Sequence, residues 1–180
     1  MNAWPDAARP DDVRPDDARA ADAGPSNDVR NVRLREMNKA DMPGILALER
    51  LLFPEDAWTQ EMFAAEFAQP ASARLYLVAE EGTALIGYAG MMFTGGSQAD
   101  VVTLAVNPAR WGEGTGTALL TALVDEAENR GYQEVLLEVR KDNPRARQLY
   151  VRHGFAEIGI RRGYYQPSGV DAVVMRKVLT

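Results

Sequence analysis

The chain has 180 residues, 46% of them hydrophobic, and a net charge of −6; this suits one soluble domain with a full core and is short for two. It contains no cysteine and one histidine, His153. Disulfides, thiolate nucleophiles and cysteine-based metal or redox centres are therefore excluded, no metal site is expected, and acid–base chemistry falls to carboxylates, tyrosine, lysine or water.

The first 28 residues differ from the rest. They repeat Arg-Pro-Asp-Asp at Arg9–Asp12 and Arg14–Asp17, and carry seven aspartates against three arginines, or −4 of the chain's −6. So little apolar surface cannot offset ordering entropy, so residues 1–28 are expected to form a disordered acidic tail, with an acidic docking segment as the alternative reading. The globular domain is expected over 29–180. The tail has no basic start followed by an apolar run, and no stretch is long enough to span a bilayer. A cytoplasmic protein with no membrane or nucleic-acid partner is the expectation.

Val32–Met37 alternates apolar and polar residues, as a half-buried strand does. Asn38 can cap a helix with Ile45, Leu48 and Leu52 on one face, broken near Phe53-Pro54. A second helix is expected over Thr59–Phe67, then strands at Arg74–Glu80 and Ala84–Phe93 joined by a turn at Glu81-Gly82-Thr83. Ala99–Val106 is a further strand. Thr117–Arg130 is an amphipathic helix with Leu119, Leu120, Leu123, Val124 and Ala127 inward and Gly131 as its stop. Gln133–Arg140 reads as a strand, Asn143-Pro144 as a helix start, and Gly154 as that helix's end. Phe155–Arg161 and Ala172–Val178 complete the chain as strands. This order predicts an α/β fold: a mixed, mostly antiparallel sheet with helices on both faces.

Four features carry chemistry. Arg110–Gly116 reads Arg-Trp-Gly-Glu-Gly-Thr-Gly between a strand and a helix. Glycines at alternate positions let backbone approach a bulky anion, and the following helix offers unpaired N–H groups and a positive dipole end. It lacks the Gly-Lys-Ser/Thr ending of an NTPase loop, and Leu119 stands where a dinucleotide fingerprint has its third glycine. Glu138, in Val135-Leu136-Leu137-Glu138-Val139, either faces water on an alternating strand or serves as a general base in a cleft. Tyr150 lies on one helix side with Asn143, Ala146 and Arg147, and is either core or chemistry. His153, just before Gly154, caps carbonyls or faces solvent. Tyr164 and Tyr165, in a segment expected to be a loop between the last strands, either wall a peptide groove or pack locally.

From Leu104 to Lys177 the chain resembles the GNAT-fold acetyltransferases, and among them the bacterial RimI-type ribosomal-protein-alanine N-acetyltransferases. The resemblance rests on Leu104-Ala105-Val106-Asn107-Pro108, Gly114-Thr115-Gly116-Thr117-Ala118-Leu119-Leu120, Leu137-Glu138-Val139-Arg140, Asn143, Leu149-Tyr150, Gly154-Phe155 and Arg161-Arg162-Gly163-Tyr164-Tyr165. Asp171–Met175 and Phe53-Pro54 fit as well. It covers roughly four-fifths of the chain and leaves out the tail.

The resemblance implies that Leu104, Ala105 and Val106 form a splayed strand pairing with the pantetheine arm of acetyl-CoA. Gly112, Glu113, Gly114, Thr115, Gly116 and Thr117 would cradle its pyrophosphate through backbone N–H groups, and Asn143 would hydrogen-bond near its reactive end. Glu138 would be the general base and Tyr150 the general acid. Phe53, Pro54, Glu55, Tyr164 and Tyr165 would line the groove for a protein N-terminus, the alanine of the eighteenth small-subunit ribosomal protein being the family substrate. Without cysteine, transfer would be direct, in a ternary complex. Trp111, Gly112 and Thr117 stand where the family carries basic side chains. Arg110, one residue displaced, is expected to compensate; Lys141, Arg145 and Arg147 either serve the remaining phosphate or form a solvated face. A GNAT acting on lysine or a small amine, and a non-catalytic acyl-CoA-binding module, are the alternatives.

Overall fold

The computed structural model describes residues 32–53, 57–70 and 72–180. The acidic tail, and the groove residues Pro54 and Glu55, lie outside the described residues.

Seven strands form one sheet: β1 Val32–Glu36, β2 Arg74–Glu81, β3 Ala84–Phe93, β4 Gln98–Val106, β5 Glu134–Arg140, β6 Ala156–Tyr165 and β7 Val170–Val178. Their spatial order is β1-β2-β3-β4-β5-β7-β6, antiparallel throughout except for β4 against β5. Helices α1 Met42–Leu52 and α2 Gln60–Phe67 cover one face, where Ile45, Leu48 and Phe63 pack on Val78 and Tyr88. Helices α3 Thr115–Asn129 and α4 Pro144–Arg152 cover the other, where Leu119, Leu123 and Tyr150 meet Val135, Leu137 and Val139. The expected mixed sheet with helices on both faces is thus what the chain builds.

The local causes are those of the sequence. Asn143 accepts the Ala146 N–H at 3.0 Å and Pro144 follows it, starting α4. The Thr59 hydroxyl accepts from Met62 N at 3.3 Å, opening α2. Asn38 and Asp41 form a reciprocal cap around a 3-10 turn, Lys39–Asp41, that runs into α1. Arg35 of β1 clamps Asp41 with two hydrogen bonds, of 2.7 and 2.6 Å, and also bonds Glu80 of β2.

Two differences from the expected boundaries bear on the site. α3 begins at Thr115 rather than Thr117, because Gly114 (φ 88°) supplies the left-handed residue from which the helix starts. The segment Arg161–Tyr165 is no loop: it is the second half of β6, paired with β7 across two register shifts that interrupt the alternation a sequence reading relies on.

The feature that positions everything else is the parting of β4 from β5. Their parallel ladder covers only Gln98–Val101 against Glu134–Leu137. Beyond it β4 stays paired to β3 as far as Val106, while β5 stays paired to β7. A bulge at the start of the gap, where Gly90 pairs with Thr103 but Met91 with Val101, leaves Val102 as the extra residue and bends β4 away. The Tyr76 ring lies so close over Gly90 that a Cβ there would sit 2.4 Å from it.

Candidate active site

Where β4 and β5 separate, a cleft of about 1280 Å³ opens, lined by Leu104 and Val106 from β4, Glu138 from β5, Tyr150 from α4, and Gly114 and Thr115 at the head of α3. Asn107 N–H bonds the Ile86 carbonyl of β3 at 2.8 Å, so strand alternation turns the amides of Val106 and Leu104 the other way, into the cleft. These are edge amides without a strand partner, suited to an extended ligand or a developing oxyanion.

Glu138 lies on the sheet face shared with α1 and α2, because Val135, Leu137 and Val139 point into the opposite core. Its carboxylate pairs with Arg161 of β6, and Arg161 lies 5.2 Å over the Tyr164 ring. Burial, then the adjacent Glu138 carboxylate, push the Tyr164 phenol up to about 12. Tyr164 packs edge-on to Tyr165 at 5.2 Å, and Tyr165 is buried beneath the guanidinium of Arg140. Both tyrosines line the cleft, as does Phe53 at the end of α1. Asp100, on the same sheet face, has its carboxyl raised by burial and by the like charges of Glu138 and Glu134.

Tyr150 is core and cleft residue at once. Its ring packs edge-on to Phe155 at 5.9 Å, and burial pushes its phenol up to about 12. Across the cleft mouth from β4, Asn143 spends its oxygen on the α4 cap, which leaves its NH₂ group for a ligand. His153 takes the capping role, 2.8 Å from the Leu149 carbonyl.

At the head of α3 the backbone dominates. Gly112 and Gly114 hold φ of 83° and 88°, and a Cβ on either would point into open space rather than against protein. The Thr115 hydroxyl is buried with no hydrogen-bond partner among the described residues, an orphaned donor at a helix N-terminus. Side-chain charge is scarcer than the sequence suggests. Arg110, the displaced basic residue, lines the cleft and pairs with both Glu81 and Glu113. Lys141 pairs with Asp171 at 3.3 Å and Arg147 with Glu157 at 2.5 Å. Arg145 has no carboxylate partner among the described residues; its guanidinium lies 4.5 Å over the Trp111 ring, and the Trp111 indole donates to the Val106 carbonyl at 2.8 Å.

Two participants escaped sequence reasoning. Arg161 as partner of Glu138 depends on the β7–β6 pairing, which no local pattern reveals. Glu49 is 1% exposed on α1, its carboxylate accepting the Tyr88 hydroxyl and the Trp58 N–H, the latter at 2.7 Å. Its signal was present: four residues after Ile45 and three before Leu52, it sits on the apolar face of the helix. Among the described residues no three His, Asp or Glu side chains are placed to hold a metal ion, and no helix is long and apolar enough to cross a membrane.

A splayed parallel pair, a glycine-rich turn into a helix, and a carboxylate and phenol thus meet in one cleft, and the comparisons with known proteins supply the family. Residues 40–155 match the acetyltransferase (GNAT) family, to which the chain belongs. Within it, the chain is 38% identical to N-alpha-acetyltransferase RimI of Mycobacterium tuberculosis, over 83% of this chain and 94% of that protein. It superposes with a TM-score of 0.73 and 29% identity on the crystal structure of the ribosomal-protein-S18-alanine N-acetyltransferase of Escherichia coli, covering 83% of this chain and 94% of that one. The fold alone is shared with Ard1 of Thermoplasma volcanium (TM-score 0.74, 22% identity, 83% and 98% covered). The expected fold, family and class of enzyme are borne out. Enzymes of this family take their acetyl group from acetyl-CoA, and the orphaned Thr115 hydroxyl, the Cβ-free turn and the edge amides of β4 fit that molecule.

Proposed function

We propose that this protein transfers the acetyl group of acetyl-CoA to the α-amino group of a protein N-terminus, with the N-terminal alanine of ribosomal protein S18 as acceptor. The observation that carries the reading is the placement of Glu138 and Tyr150 in one cleft at the point where β4 and β5 part. The names of the two similar proteins support the choice of an α-amine and of S18.

The chemistry follows from pKa values. A protein α-amine titrates near 7.7–8.0 and a lysine near 10.4, so at pH 7.4 about a quarter of the former is free base against about one lysine in a thousand. A carboxylate such as Glu138, acting through water, needs to remove little charge from an N-terminus. The free amine then attacks the thioester carbonyl, and an edge amide of β4 steadies the oxyanion. The acetyl carbon–sulfur bond breaks as the amide forms, CoA leaves as its thiolate, and the proton from nitrogen leaves through Glu138. Tyr150, which lines the same cleft, would face the departing sulfur. Its phenol, at about 12, is a weaker acid than a thiol of about 8.5. Its larger contribution is therefore a hydrogen bond to the developing thiolate rather than complete protonation. Leu104 and Val106 would pair with the pantetheine arm, Gly112 to Thr117 would hold the pyrophosphate, and Asn143 would donate its NH₂ group. Phe53, Tyr164 and Tyr165 would wall the acceptor groove.

The test is a comparison of two peptides of one S18-type sequence containing lysine, one beginning with a free alanine and one N-terminally blocked. Release of CoA thiol with the free peptide, and its near absence with the blocked one, is the expected result. Equal rates on the two would assign the enzyme to lysine.

A further inference from the structure

We propose that Glu49 is a positioning residue for the acceptor: by joining the end of α1 and the approach to α2 to the sheet, it fixes the wall of the cleft against which the incoming peptide lies. This rests on the reading above only in naming the acceptor as a peptide amine.

Glu49 draws three segments to one carboxylate. Oε1 accepts the hydroxyl of Tyr88 on β3, and Oε2 accepts the backbone N–H of Trp58, just before α2. Tyr88 in turn accepts the Thr103 hydroxyl at 3.4 Å, and Thr103 follows the bulge at which β4 leaves β5. The backbone carbonyl of Glu49 takes the Phe53 N–H at 2.7 Å, and Leu52 and Phe53 line the cleft. Trp58 packs at a tilt on Phe63, ring centroids 5.0 Å apart, and Phe63 meets Tyr88 edge-on at 6.1 Å, so the polar bridge is enclosed in aromatic packing.

A carboxylate is an unfavourable filler for such a place. It is buried, its acidity is weakened by that burial, and no cationic side chain among the described residues is paired with it. What it supplies is two acceptors for two donors on different elements. An apolar side chain would remove both acceptors, and a glutamine accepts through one oxygen only. All these contacts lie on the α1–α2 face of the sheet. The phosphate-holding head of α3 and Tyr150 belong to the other face and receive none of them. The donor-facing amides of β4 are held by the backbone ladder to β3, which does not pass through Glu49, so loosening Glu49 should disturb the acceptor far more than the donor.

The experiment measures Glu49→Gln and Tyr88→Phe beside the parent: kcat and KM for an alanine-starting peptide at saturating acetyl-CoA, and acetyl-CoA affinity by calorimetry. Glu49→Gln should raise the peptide KM about tenfold while kcat stays within about threefold and acetyl-CoA affinity is unchanged; Tyr88→Phe should move the same constant in the same direction. A peptide KM within about twofold of the parent in both variants overturns the proposal, as does a joint fall in kcat, peptide affinity and acetyl-CoA affinity. If Glu49→Gln does not fold, Tyr88→Phe, which keeps the ring, decides alone. If the parent acetylates only lysine, the α-amine reading fails and the same split is read on a lysine peptide.

Discussion

Glu138 shows how much a single side chain depends on where its strand is aimed. The same five residues of β5 would present it to solvent in a continuous sheet; here β4 has left, and the carboxylate faces the gap with Arg161 beside it. Its chemistry is testable without disturbing shape. Glu138→Gln should lower kcat about 10²–10³-fold while acetyl-CoA affinity, read by calorimetry, is retained; parental turnover would remove the base from the account. Tyr150 gives a different signature. A phenol held at about 12 keeps its proton throughout the working range, so it contributes no alkaline limb. The rate should rise as the acceptor α-amine deprotonates near pH 8 and then level off, and Tyr150→Phe should lower that plateau about 10–100-fold without changing the profile's shape. A falling limb below about pH 10 that disappears in Tyr150→Phe would contradict this. Local pattern alone left Glu138, Tyr150 and the tyrosine pair open between packing and chemistry; the family resemblance singled them out, and all of them line one cleft. Glu49 was overlooked because an acidic residue on an apolar helix face is easily taken as tolerated rather than bonded.

Elements explain what the loop between β4 and α3 does with so little positive charge. Gly114 begins the helix in a conformation that other residues resist, so the turn and the exposed N–H groups come together. Gly114→Ala should destabilise the fold by about 1 kcal/mol, by thermal melting, and weaken acetyl-CoA binding further than that alone explains. Of the basic residues considered for the cofactor, only Arg145 is held by a ring instead of a carboxylate. Arg145→Ala should weaken acetyl-CoA binding about 3–10-fold at low salt and less at high salt, whereas Arg147→Ala should change it less than twofold. Equal effects of the two would remove the distinction. The helices themselves were readable from caps and stops such as Asn143-Pro144 and Gly131. The second half of β6 was not, because its pairing crosses two irregular registers and a sequence containing Gly163 and two tyrosines looks like a turn.

On the scale of the whole molecule, chain order foretells a mixed sheet but not that β7 inserts between β5 and β6, nor that the parallel ladder stops after four residues. Both depend on long-range pairing, and both make the cleft. Away from it, the clamp of Arg35 on Asp41 and Glu80 ties the first strand to the start of α1. The Arg35 guanidinium holds the Asp41 carboxyl below its usual range. The stability so gained is complete above the unfolded value of about 3.9 and is lost as pH falls through the lower folded one. Asp41→Asn should cost about 1 kcal/mol in urea unfolding at pH 7, and the two proteins should converge in strong acid. A gap that persists there would mean the clamp is not electrostatic.

The central claim is that this cleft acetylates an α-amine, and one measurement tests it most directly. A single peptide carrying a free N-terminal alanine and an internal lysine is incubated with the protein and acetyl-CoA, and tandem mass spectrometry locates the added group. Acetyl on the alanine nitrogen, abolished by Glu138→Gln, is the predicted result; acetyl confined to the lysine would contradict it.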